Sequence, residues 1–258
     1  MTFAPSVSRL HATTLPVAAL TAAAVTLCAR SASAGYVSPQ LTVGVTVAGD
    51  APQSVTSTSG FQIPGSGAYV YDGSIVSPAG SSWYVNWNLT GTDTTQVPNS
   101  PSITTNFAVG NTGDTTRVFQ IQVSFASPVQ APTDGGFLYW LTNLSGVLSS
   151  NQGGVASLTG LTPSMLQGQI NGIGVSNNNP SVASTTTASF LGPSASNYYG
   201  AIPNGPNVHT IGYLMTFSLS AHSTAVFNGS WYGTLVPAPG VVALLGLAGL
   251  AGRGRRRR

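Results

Sequence analysis

Between Gly35 and Leu235 apolar and polar residues alternate in short runs, the spacing of strands that bury one face and expose the other. Leu41, Val43, Val45 and Val47 point one way in the first run. Trp83, Val85, Trp87 and Leu89 do so in a second, and Ile103, Thr105, Phe107 and Val109 in a third. Phe119, Ile121, Val123 and Phe125 make a fourth set. Ile211, Tyr213, Met215, Phe217 and Leu219 make the longest. Ala225, Phe227 and Trp231 predict a last strand, with a break expected at Asn228-Gly229. Turn signals separate the runs at Asp72-Gly73, Thr112-Gly113-Asp114, Asp134-Gly135-Gly136, Asn171-Gly172 and Asn204-Gly205-Pro206.

The stretch from Gln152 to Gly200 is less regular and rich in Gly, Asn, Ser and Thr. It reads as long loops with weak strands near Leu166–Val175 and Thr186–Leu191. No window shows a capped 3.6-residue period. The expectation is therefore an all-β fold, a single domain of β-sandwich or jelly-roll type over residues 35–235. A region of roughly 200 residues buries enough surface to fold without disulfides.

Charge sharpens this picture. Only 5 % of the chain is charged, against roughly 25 % in an ordinary soluble domain, and Lys and Glu are absent. The formal +3 belongs to the ends, because Arg9 and Arg30 lie at the start and Arg253, Arg255, Arg256, Arg257 and Arg258 at the finish. Between Gly35 and Leu235 one basic residue, Arg117, faces five acids, Asp50, Asp72, Asp93, Asp114 and Asp134, for a net charge of −4 with His neutral. Such a region offers no basic groove for phosphates, so nucleic acid is not an expected partner.

The beginning has the order of a secretory signal peptide over residues 1–34. Arg9 and His11 give a weakly basic start, and Leu15 to Leu27 form an apolar run. Ala32 and Ala34 then supply the small residues of an A-x-A site before Gly35, so signal peptidase is expected to cut after Ala34. The one cysteine, Cys28, would leave with that leader, and the mature chain would hold no disulfide.

The last residues, 236–258, fall into three parts. Val236, Pro237, Ala238, Pro239 and Gly240 come first; Pro237 and Pro239 hold the backbone extended. Twelve uncharged residues, Val241–Gly252, follow, and as a helix they would rise about 18 Å, short of the ~30 Å hydrocarbon core. The arginines Arg253 and Arg255–Arg258 close the chain and favour the cytoplasmic side of a membrane. So short a span suits a temporary anchor.

This ending resembles the PEP-CTERM sorting signal of exported proteins in Gram-negative bacteria and planctomycetes. In that family a Pro-Glu-Pro motif precedes a hydrophobic helix and an Arg cluster. Here Ala238 stands where the family usually has Glu. The resemblance implies sorting by an exosortase-type membrane protease after transient inner-membrane association. It also implies a place at the cell surface or outside the cell, in company with exopolysaccharide or biofilm. It covers the tail alone.

Candidate chemistry within the domain is sparse. His209 and His222 are thirteen apart, too distant on an extended chain to share one site. No G-x-S-x-G elbow occurs, and a glycosidase would have to draw two carboxylates from the five Asp. Those Asp recur every 20 to 22 residues, which suits turn capping and, as a second reading, a Ca²⁺ site at one rim. Trp83 and Trp87 share a face with Val85 and Leu89 and belong to the core. Tyr84, Asn86 and Asn88 lie on the opposite face, where they could meet sugars. No cofactor and no catalytic residue is expected. The leading expectation is a non-enzymatic surface or matrix protein; a carbohydrate- or calcium-binding lectin-like module comes second and a hydrolase third.

Overall fold

The computed structural model describes residues 38–78, 82–92, 101–130, 137–161, 165–178, 181–184, 187–191, 196–200 and 207–236. Within them only the backbone is described at 127–130, 137–140, 176–200, 207–208 and 234–236. The predicted leader, the tail from Pro237, Asp93, Asp134 and the turns at Asp134-Gly135-Gly136 and Asn204-Gly205-Pro206 lie outside the described residues.

The described chain is all-β, in two antiparallel sheets, consistent with the sandwich expectation. The first sheet orders β11 (Ile173–Asn178), β10 (Leu166–Ile170), β15 (Asn207–Leu219), β7 (Arg117–Gln130), β1 (Leu41–Val47) and β2 (Gln53–Ser57). In addition β9 (Ala156–Gly160) pairs with β15, and β12 (Ser181–Ser184) with β9. The second sheet orders β13 (Thr187–Leu191), β8 (Phe137–Ser150), β16 (Ser223–Val236), β6 (Ser102–Asn111), β5 (Trp83–Thr92), β4 (Ala68–Val76) and β3 (Phe61–Ile63). There β14 (Ser196–Gly200) also pairs with β8.

The alternation sets which side of each strand is buried. Leu41, Val43, Val45 and Val47 on β1, and Phe119 through Phe125 at every second position on β7, are at most 2 % exposed. Val85, Leu89, Phe107 and Trp231 from the second sheet are equally buried, so the inner rows of both sheets form one core. Rings from the two sheets meet edge to face. Trp83 on β5 meets Phe119 on β7 at 6.3 Å, and Phe107 on β6 meets Tyr213 on β15 at 6.3 Å. Tyr71 on β4 meets Phe125 at 5.9 Å in the same way. Such pairs add about 0.5–1.5 kcal/mol each beyond the area they bury.

Three expectations need correction. Asp72-Gly73 does not turn the chain but lies inside β4, with Asp72 opposite Asn88 and Gly73 opposite Trp87. The glycine serves packing there, since a Cβ on it would lie 2.4 Å from the Trp87 ring. The break expected at Asn228-Gly229 is absent, because β16 runs unbroken from Ser223 to Val236 between β6 and β8. It thus includes Val236, the first residue of the predicted tail. Over Gln152–Gly200 the strands expected near Leu166–Val175 and Thr186–Leu191 are present as β10, β11 and β13, but β9, β12 and β14 stand where loops were expected. In β10 the alternation is hidden because Gly168 takes the buried position between Leu166 and Ile170. The turns at Asn171-Gly172 and around Gly113 stand as expected. Asn171 and Gly172 take φ of 50° and 77°, the mirror-image pair that a two-residue hairpin requires.

Candidate functional site

The chemistry-bearing residues singled out from the sequence are dispersed. Asp50, in the turn after β1, accepts the Trp83 indole N–H at 2.5 Å and lies 3.5 Å from the Arg117 guanidinium. Asp72 stands mid-strand on the outward face of β4, away from that turn. Asp114, in the loop before β7, has a side chain 95 % exposed and contacts His222 Nε2 at 2.9 Å. No hydroxyl is hydrogen-bonded to the His222 ring among the described residues. His209 lies near the start of β15 and His222 just before β16, beyond its opposite end. Among the described residues no three His, Cys, Asp or Glu side chains gather as a metal site would need.

What the strands do bring together is a row of amides and a hydroxyl with one carboxylate at its edge. On the outward face of the second sheet the register aligns Asp72, Asn88, Asn106, Asn228 and Ser145 in one row across five strands. Neighbouring strands set such residues about 4.8 Å apart, and the Asn106 amide donates to Asn228 Oδ1 at 3.0 Å. Asn86 and Tyr84 stand on the same face. The Tyr84 ring lies across Gly110, where an added Cβ would come within 2.1 Å of it, and its hydroxyl is 3.3 Å from Thr224 Oγ1. Trp83 and Trp87 are 3 % and 6 % exposed, so they are core residues as expected.

The outward face of the first sheet is not flat. An open hollow of about 430 Å³ lies over β1, β7 and β15, with Thr46, Gln53, Gln120, Gln122 and Gln169 among its walls. A second, of about 220 Å³, is bordered by Gln40, Thr42, Ser124, Ala126 and Thr210 on the same strands. Gln169 is only 7 % exposed, and its Oε1 lies 3.4 Å from Gln122 Nε2. The sequence reading missed this face. Its signal was present in the polar half of the β7 alternation, Gln120-x-Gln122-x-Ser124, which served only to define the buried half.

Compared with protein families and with curated proteins, the chain matches neither a family model nor a curated sequence.

Proposed function

We propose that the protein is a non-enzymatic component of the cell surface or extracellular matrix, a β-sandwich or jelly roll exported with a cleavable leader and sorted by its tail. The carrying observation is the order of the ending: Val236-Pro237-Ala238-Pro239-Gly240, twelve uncharged residues, then Arg253 and Arg255–Arg258. A span too short to anchor permanently, closed by a cation cluster, holds a newly exported chain until a protease releases it. Signal peptidase and an exosortase-type enzyme are the processing partners in this reading. Association with extracellular polysaccharide is the second part of it. Support comes from two outward faces built of amides and hydroxyls, which exchange hydrogen bonds with sugar hydroxyls without ion pairs.

Intact-mass measurement on protein from its native host tests the sorting. The expected species begins at Gly35 and lacks Arg253–Arg258. Material that retains the terminal arginines sinks this part of the reading.

A further inference from the structure

We propose that the paired hollows on the first sheet form one trough that binds an extended, uncharged glycan strand. This inference rests on the polysaccharide association proposed above and names its site and ligand class.

The trough follows from register. Four outward positions succeed one another along β7: Gln120, Gln122, Ser124 and Ala126. Beside them on β1 stand Thr46 opposite Gln120, Gly44 opposite Gln122 and Thr42 opposite Ser124. On the other flank β15 places Thr216, Leu214, Gly212 and Thr210 opposite the same four residues. Gly44 thus leaves the β1 flank beside Gln122 without a side chain, and the small Ser124 and Ala126 continue the depression. Six residues of strand separate Gln120 from Ala126, so the depression runs about 20 Å along the strands. That is long enough for several sugar units in line, where a round pocket would take one.

The walls select the chemistry. Gln53, Gln120, Gln122 and Gln169 each carry a donor and an acceptor on one planar group, and vicinal sugar hydroxyls present the same pair. Gln169 is buried and held against Gln122, so its amide is already oriented before a ligand arrives. Among the described residues no charged side chain lines either hollow. An acidic polymer would find no cation there, and a basic one no carboxylate. No aromatic ring lines them either, so affinity comes from hydrogen bonds repeated along the strand.

Gly44 makes the trough testable without harming the fold. A Cβ added to it meets nothing nearer than the Gln122 and Gln53 carbonyl oxygens at 4.0 Å, and a β-branched residue suits a strand. Gly44→Val therefore narrows the trough from the β1 flank while leaving the thermal midpoint unchanged or slightly raised.

The experiment is affinity electrophoresis of the full-length protein through gels holding hydroxyethylcellulose, galactomannan, dextran or, as an acidic control, alginate. At least one neutral polymer slows the protein and alginate does not. Gly44→Val, by occupying the trough, and Gln122→Ala, by losing one or two amide–hydroxyl hydrogen bonds, each weaken that retardation roughly tenfold. Tyr84→Ala leaves it unchanged. If no neutral polymer slows the wild type, the polysaccharide association itself falls. If the wild type is slowed and Gly44→Val equally so, the trough alone falls. Loss of binding in Tyr84→Ala moves the site to the other sheet and also overturns the trough.

Discussion

Trp83 donates its indole N–H to the Asp50 carboxylate at 2.5 Å, and that bond ties a turn of one sheet to the first residue of a strand in the other. Arg117 lies 3.5 Å from the same oxygen, with both side chains about one-fifth exposed. Asp50→Ala leaves the buried indole N–H unpaired and Arg117 without its acid. A loss of about 1–3 kcal/mol is expected, the cost of stranding such groups. Urea unfolding followed by tryptophan fluorescence measures it; an unchanged midpoint would remove the staple.

Asn111 closes the same end of the fold from within. Fully buried at the end of β6, it donates to the carbonyls of Thr115, Leu219 and Ser220 at 2.8, 3.0 and 3.0 Å. Its Oδ1 accepts the Gly113 N–H at 3.2 Å. Asn111→Ala strands these groups and costs roughly 1–3 kcal/mol. Asn111→Asp is worse, because a carboxylate would face three carbonyl oxygens; above the carboxyl pKa it should unfold more readily than the Ala variant. Equal midpoints for the two at neutral pH would contradict this.

Tyr213 governs the alkaline limit. Burial pushes its phenol well above the ordinary range, and the hydroxyl of Thr105 beside it offsets only part of that rise. The folded state therefore holds this proton more tightly than the unfolded chain. The stability so conferred is complete below the unfolded value of about 10 and drains away as pH climbs toward the raised one. Tyr213→Phe keeps the ring against Phe107 and removes the titrating group. The variant should match wild type within about 1 kcal/mol at neutral pH and lose less stability above pH ~10. Thermal melts at stepped pH decide it.

One substitution at two glycines should give opposite results. Gly73→Val drives a side chain into the Trp87 ring, where even a Cβ would lie at 2.4 Å, and is expected to cost about 1–3 kcal/mol. Gly44→Val meets open space and should be neutral or stabilising by less than about 1 kcal/mol. Denaturant midpoints for the pair compare them directly.

The strands with large residues on their buried side were legible because Val43, Trp87, Phe107 and Phe217 announce a period of two by size alone. β4 was not, since its row reads Tyr69, Tyr71, Gly73 and Ile75, and the glycine looks like a turn until its role beneath Trp87 is seen. The core position of Trp83 and Trp87 could be inferred; the cross-strand row of Asn88, Asn106 and Asn228 could not. Those asparagines are far apart in the chain and meet only through the pairing of β5 with β6 and β6 with β16. The trough was hidden for the same reason. Gly44, Gln122 and Thr210 are far apart in sequence and share one surface only once β7 lies between β1 and β15.

The place of β16 has a mechanical consequence. It is paired in register along one flank with β8 at all fourteen residues and along the other with β6 at ten. A tether fixed beyond Val236 would load this strand lengthwise, so that its rungs on both sides must shear together and cannot peel in succession. Drag on a protein held by that end would be met by a strand braced on both flanks, and a tug would stretch the segment beyond it before it opened the fold.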